Sequence, residues 1–416
     1  EILKERQIIS DSEYSELSDI ANQMQDDQTA VDSRLEALDA SVTEYLAKEG
    51  DEAEGVNVQH KIGSGFGFAS GNFSLWIGGL FQFEYAGYNR KDAQDTNNFR
   101  VKEARFYFKG KAFVEGMTYK FQWKGNSSAV SLLDAYGNYD VAEGIQVRFG
   151  QFKIPYSRQE LNSSARLSLM SRSIVVDAFA PGRDIGIMAW DTFGEEGDFN
   201  FEYAFGLFNG DGTNVNGNDN NWLGWAARFG VYPMGMVPYA ETDFDASDFT
   251  AGIAGTYYSV RNRPNGNTVK RDQWEIDVVM KIAGFYVEGE YHSVKINPDG
   301  ESSSTYSGWF VQGGFLIPNT DFEVLARYSM INWDEDTTSL KNSKEWVIGA
   351  AWYPNGYGHP LKVLLTIGEF KSDTSNKYKG GTGTSPSMES YDIDWQEFET
   401  YLERTRFLRL TVQVDW

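Results

Sequence analysis

Between Phe73 and the end of the chain, apolar and polar residues take turns. The last run shows the rule. Leu408, Leu410, Val412, Val414 and Trp416 fall on one side; Arg409, Thr411, Gln413 and Asp415 fall on the other. Side chains of a strand point alternately to its two faces, so each such run carries one apolar and one wet face. Runs of this kind begin near residues 73, 99, 117, 131, 144, 184, 199, 222, 249, 273, 284, 306, 321, 344, 361 and 404. The pattern predicts sixteen antiparallel strands, and an even number is what a closed bacterial outer-membrane barrel requires. Many runs exceed the roughly nine residues that cross a bilayer at a tilt, whereas strands of a soluble sandwich are typically about five or six long. Inside lipid every backbone group needs a partner, so the sheet must close. A barrel of this width is not filled by its own side chains and leaves a channel. Trp416 ends the last strand with an aromatic ring at the interface, the membrane-assembly terminus of the barrel.

The connections alternate in length. Turns after even-numbered strands are mostly short, as at 114–116, 142–144, 283–284 and 318–320. Those after odd-numbered strands are mostly longer: 89–98, 153–183, 210–221, 261–271, 297–304, 334–342 and 372–403. Short turns on one rim and long loops on the other mark an outer-membrane barrel, with the short turns periplasmic. The stretch 233–248, rich in Pro and acids, is the exception on the short-turn rim. Trp76, Trp123, Trp190, Trp274, Trp309 and Trp346 stand near strand ends and are candidates for the interfacial aromatic girdles.

The first 46 residues follow a different period. Leu3, Ser10, Leu17, Met24, Val31, Leu38 and Tyr45 recur every seventh position, with Gln7, Tyr14, Ala21, Gln28, Leu35 and Val42 on the partner seam. The pattern predicts a coiled coil over 1–46, its seam built on Leu17, Met24, Val31, Leu35, Leu38 and Val42. Residues 1–54 hold 16 acids against 4 bases, so a lone helix here would be unstable and partner copies are expected. Residues 47–72 are broken by glycines and read as a linker. The expected division is a periplasmic coiled coil (1–46), a Gly-rich linker (47–72) and a transmembrane barrel (73–416).

Composition narrows the function. The chain of 416 residues has no cysteine, which removes thiol catalysis and thiolate metal sites. Its three histidines, His60, His292 and His359, are too scattered for a zinc site, so neither metal nor cofactor is expected. A net charge of -23 argues against nucleic acid as a partner. Mean hydropathy is -0.47, but an alternating strand averages out its apolar face. No secretory signal is visible at residue 1, so the expectation is that the sequence begins at or after a processing site. No acid–base pair in an apolar pocket is apparent, so an enzyme is not expected.

The longest connection before the C-terminal one lies in a recognisable setting. Gly150-Gln151-Phe152-Lys153-Ile154-Pro155, Leu161-Asn162-Ser163-Ser164 and Phe179-Ala180-Pro181-Gly182-Arg183-Asp184-Ile185-Gly186 closely resemble the phosphate-selective porin O and P family. Glu103-Ala104-Arg105, Tyr119-Lys120-Phe121 and Asp134-Ala135-Tyr136 fit the same family, so the resemblance is specific over about 99–190 and diffuse elsewhere in the barrel. It implies an outer-membrane, homotrimeric, anion-preferring porin whose third loop folds into the channel. That loop, 153–183, carries Lys153, Arg158, Arg166, Arg172 and Arg183 against Glu160 and Asp177, a local +3. Basic side chains at a constriction attract anions. Alternation puts Arg105, Lys109, Lys120, Lys124, Arg148, Arg228, Arg327 and Arg409 on wet faces, hence toward the lumen, where several are expected to pair with acids such as Glu84, Glu103 and Glu323. The arginine ladder and lysines on which the family's phosphate specificity rests do not map residue by residue here. The expectation is passive diffusion of small anionic solutes such as phosphate, with outer-membrane lipid as surroundings. An alternative role is structural: a tether to peptidoglycan or another cell-wall component through the coiled-coil stalk.

Overall fold

A computed structural model of the chain describes residues 56–61, 65–91, 94–125, 130–195, 197–263, 266–333, 342–354, 360–372 and 404–416. The coiled coil expected over 1–46, with its seam residues, and nearly all of the loop 372–403 lie outside the described residues. Two short strands come first, β1 (Asn57–Lys61) and β2 (Gly65–Ser70), both inside the stretch read as a linker. Sixteen long strands follow. They are β3 (Phe73–Arg90), β4 (Thr96–Lys111), β5 (Met117–Gly125), β6 (Val130–Ala142), β7 (Ile145–Lys153), β8 (Arg183–Phe193), β9 (Asn200–Phe208) and β10 (Gly224–Tyr232). The second half holds β11 (Thr250–Asn262), β12 (Val269–Ile282), β13 (Phe285–Pro298), β14 (Ser304–Leu316), β15 (Phe322–Asn332), β16 (Ser343–Trp352), β17 (Leu361–Ser372) and β18 (Arg404–Asp415).

Each long strand pairs antiparallel with the next, and β18 pairs with β3 from Thr405↔Arg90 to Asp415↔Leu80. The sheet therefore closes into a 16-stranded barrel. The seam is finished by the terminal residue: Trp416 N–H donates to the Gly79 carbonyl at 3.0 Å, and Gly79 N–H donates to the Trp416 carbonyl at 2.9 Å. A Cβ at Gly79 would stand 2.6 Å from the Trp416 ring, so only glycine lets the last ring lie on the first barrel strand. Bulges interrupt the register near Gln82/Phe83, Gln122/Trp123 and Asp140/Ala142. Bulges of this kind re-aim side chains and increase local twist.

The alternation read from the sequence is visible as exposure. Along β12 the odd positions from Arg271 to Lys281 are buried and the even ones from Trp274 to Ile282 are exposed. The exposed set is apolar because it faces lipid. On that outer wall a row of rings crosses β9 to β16: Phe205, Trp225, Tyr257, Trp274, Tyr291, Trp309, Tyr328 and Trp346. Register fixes it, with Tyr257↔Trp274, Tyr291↔Trp309 and Tyr328↔Trp346 directly paired. Trp225–Tyr257, Trp274–Tyr291 and Trp309–Tyr328 have centroids 5.1, 5.4 and 5.5 Å apart. Amphipathic rings at one level are the girdle of a membrane barrel. The girdle stops at β17. Trp346 pairs with Glu369, Glu369 with Arg406 and Arg406 with Asn89, so polar residues hold that level on β17, β18 and β3. Glu369 binds Arg404 and Arg406 at 2.8 and 2.9 Å. Of the tryptophans assigned to the girdles, Trp190 is instead turned inward, donating to Asn138 Oδ1 at 2.8 Å under the Arg148 guanidinium.

Candidate pore constriction

The loop between β7 and β8 does not extend away from the barrel. Its apolar side chains Ile154, Tyr156, Leu167, Leu169, Met170, Ile174, Val175, Val176 and Phe179 are all buried. Left in water, such side chains would each cost about 1.5–3 kcal/mol. The inner wall offers them partners. The loop is built from α1 (Arg158–Leu161), a 3-10 turn (Ser164–Arg166) and α2 (Ile174–Phe179). Serines start all three: Ser157 Oγ accepts from Glu160 N–H, Ser163 Oγ from Ala165 N–H and Ser173 Oγ from Val176 N–H. Such caps satisfy donors that a helix start leaves open.

Three apolar seats hold the loop across the lumen. Ile154 and Tyr156 pack with Phe152, Met188, Phe208 and Tyr258. Leu169 and Met170 pack with Tyr88, Leu325, Val347, Leu364 and Phe407. The α2 helix packs with Val294, Tyr306, Phe310, Ile331 and Trp333. Gly308 makes the last seat possible, since a Cβ there would come within 2.9 Å of the Phe179 ring and 3.0 Å of Val175. Polar contacts add precision. Phe179 O accepts from Arg271 at 2.8 Å, Ala165 O from Gln413 at 2.9 Å and Leu167 O from Lys362 at 2.9 Å. Ser164 Oγ donates to Glu103 Oε2 at 3.0 Å. The loop thus touches β3, β4, β7 to β9, and β11 to β18.

The five basic residues of the loop region take different parts. Lys153 donates to the carbonyls of Glu160 and Asn162, the latter at 2.8 Å. Arg172 binds Glu160 Oε2 at 2.7 Å. Burial pushes the Glu160 carboxyl up, but the Arg172 and Lys153 charges outweigh it and hold the group below the usual carboxylate range. Arg183 binds Asp134 Oδ1 at 2.7 Å. Arg158 points away from the passage and is 2% exposed, donating to the carbonyls of Val237 and Pro238 at 3.0 and 2.6 Å. Arg166 is exposed and, among the described residues, has no ion-pair partner.

The inward cations of the wall divide in the same way. Arg228 is 2% exposed and held by Glu202, Glu275 and Asp277 at 2.9, 2.9 and 2.6 Å. Arg327 binds Glu345 at 3.2 Å, and Arg105 binds Glu103 at 2.7 Å. Arg409 is buried over the Phe407 ring, 4.3 Å from its centroid. These four were expected to line the channel; they face inward but are covered. Of the acids expected to pair with them, Glu103 holds Arg105; Glu84 also binds Arg100 at 2.8 Å, and Glu323 accepts from the Tyr353 hydroxyl at 2.6 Å. Lys109, Lys120, Lys124 and Arg148 are half-buried on β4, β5 and β7. Lys120 pairs with Asp134 at 2.7 Å, and Arg148 lies between the rings of Tyr136 and Trp190. Lys109 and Lys124 have no ion-pair partner among the described residues. By contrast the inward carboxylates Glu84, Glu103, Asp134, Glu202, Glu275, Asp277, Glu288, Glu290, Glu323 and Glu345 are all buried.

A strand barrel with its third loop turned inward is the arrangement the resemblance implied, and comparison with known proteins bears on the family. A family model described as phosphate-selective porin O and P matches residues 76–387. The chain belongs to this family. It is thus an outer-membrane channel protein. Among solved structures the porin is similar in fold to the anion-selective porin from Comamonas acidovorans, at 11% identity and TM-score 0.54, covering 83% of this chain and all of that one. It is similar to outer-membrane OmpT of Vibrio cholerae at 9% identity and TM-score 0.55, covering 84% and 99%. The outer membrane channel DcaP of Acinetobacter baumannii matches at 12% identity and TM-score 0.53, covering 85% and 100%. In sequence, an uncharacterized protein of Aquifex aeolicus is 23% identical over 251 residues, 55% of this chain; the match spans 60% of that relative's length.

Sequence reasoning missed one part of this porin's interior. The stretch 233–248, noted only as an exception on the short-turn rim, turns into the lumen, with Val237, Glu241, Thr242 and Asp243 buried. Its length and its Pro and acid content were the available signals.

Proposed function

We propose that this porin passes small anions, phosphate among them, by passive diffusion between the inward loop and the β4–β7 wall. The sorting of charge carries the reading. Although the chain is -23 overall, the inward carboxylates named above are buried and Asp415 is half-buried, while Lys109, Lys124 and Arg166, half-buried or exposed, have no ion-pair partner among the described residues. A permeating ion responds to charges it can approach through water, because buried and paired charges are already neutralised locally. Planar-bilayer recordings in a KCl gradient test this. The expected result is a reversal potential of anionic sign and a chloride current reduced by added phosphate; cation selectivity refutes the proposal.

The porin is further proposed to work as a homotrimer. The break in the girdle supports this, because Glu369, Arg406 and Asn89 occupy the level at which the neighbouring wall meets the lipid interface with rings, with Arg404 two residues beyond. Charged residues on a lipid-facing wall are destabilising, and a second copy seated there would cover them. OmpT of Vibrio cholerae has a solved trimer form. Sedimentation of detergent-solubilised protein should give three chains per particle, and a monomer refutes this assembly. In the same reading residues 1–46 form the periplasmic coiled coil, and deleting them should leave single-channel conductance unchanged.

A further inference from the structure

Two segments meet inside the barrel from opposite rims, and their contact has a specific chemistry. The turn 233–249 joins β10 to β11 on the short-turn rim, while the constriction loop joins β7 to β8 on the other. Glu241, 1% exposed, sits where they touch. Its carboxylate accepts from the Ser168 backbone N–H and from Gln159 Nε2 at 3.2 Å. Its own N–H donates to the Arg166 carbonyl at 3.3 Å. Thr242 Oγ1 lies 3.1 Å from Ser168 Oγ. On the far side Arg158 reaches down to the carbonyls of Val237 and Pro238 and lies over the Tyr239 ring, 4.7 Å from its centroid.

The turn is itself anchored. Thr242 Oγ1 donates to Glu323 Oε2 at 3.1 Å, and the Phe244 and Tyr353 rings meet edge-to-face at 4.9 Å. Asp243 accepts from Gly284 N–H at 2.8 Å and from Ser247 Oγ at 2.6 Å. A prop fixed to β13, β15 and the end of β16 therefore holds the backbone of Ser168 and Arg166. Arg166 is the exposed cation of the constriction loop, with no ion-pair partner among the described residues. A buried N–H that loses a charged acceptor is left desolvated and unpaired, so the contact resists displacement.

We propose that the periplasmic-rim turn 233–249 is a second element of the constriction, and that Glu241 is a positioning residue that sets the place of Arg166 in the passage. This rests on the anion-channel reading only for the sign of selectivity. The chain has no cysteine, so a single disulfide can replace the contact without side reactions. Three proteins are compared in planar bilayers: the parent, Glu241→Ala, and Glu241→Ala carrying Ser168→Cys and Thr242→Cys. Glu241→Ala should raise open-channel current noise by at least about threefold and lower ion selectivity by at least about twofold, because a mobile Arg166 spends less time at the narrow point. Oxidising the cysteine pair should restore both values, and a reductant should abolish the restoration. Noise and selectivity unchanged in Glu241→Ala overturn the proposal, as does an oxidised pair that restores neither. A parent without anion selectivity would overturn the anion reading alone, since the noise comparison still decides the role of the turn.

Discussion

Neutralising the unpaired lumen cations one at a time gives a graded prediction. Lys109, Lys124 and Arg166 face the passage without an ion-pair partner among the described residues, whereas Arg406 lies on the outer wall bound to Glu369. An anion passing roughly 7 Å from one of these charges through water gains about 0.6 kcal/mol, and salt near 0.1 M halves this to about 0.3 kcal/mol. Removing the charge therefore lowers anion occupancy about 1.7-fold and raises cation occupancy equally, so the permeability ratio falls about threefold. If the three sites act independently, Lys109→Gln, Lys124→Gln and Arg166→Gln combined should lower the ratio about twentyfold. Arg406→Gln is the control and should leave it unchanged. The assay is the zero-current potential across a tenfold KCl gradient. A triple variant within about twofold of the parent, or an Arg406→Gln effect as large as that of Lys124→Gln, would refute the electrostatic argument.

Three further outcomes follow from the same contacts. Phe179→Ala empties the seat of α2 beside Trp333 and Gly308 and should cost about 3–5 kcal/mol locally; protease should then cut within 154–182 while the barrel keeps its heat-modifiable mobility on gels. Arg228→Ala strands Glu202, Glu275 and Asp277 together, costing about 3–5 kcal/mol; the unfolding temperature in detergent should drop, and Arg228→Lys should recover part of the loss. The Glu160 carboxyl is held below its unfolded value, so its pairing with Arg172 stabilises the loop above the ordinary carboxylate range and fails only as pH drops through the lower folded value. Channel noise should accordingly stay level from pH 7 to about 4.3 and rise below it, whereas Glu160→Gln should be noisy throughout.

Alternation and turn chemistry alone located the barrel strands to within a few residues, because lipid and water enforce a period of two on every spanning strand. Gly79 and Trp416 were legible as the two sides of a closing seam only after the register was known. The inward-facing direction of Arg228 and Arg327 was also readable, since it depends on local parity. Their burial was not. Whether an inward arginine meets water depends on Glu275, Asp277 and Glu345 arriving from neighbouring strands and on a loop lying over them. The same holds for Arg158, whose partners lie some eighty positions away on a turn from the other rim.

The sequence by itself determined that the alternating runs from Phe73 onward close into a membrane barrel, and that the chain between β7 and β8 is basic and apolar enough to seek the interior. Both follow from properties carried by neighbouring residues: period, local charge and local hydrophobicity. The tertiary structure decided which cations remain free. Pairing is a matter of distance between segments far apart in the chain: Arg228 has three carboxylates within hydrogen-bond reach, whereas Lys124 has no ion-pair partner among the described residues.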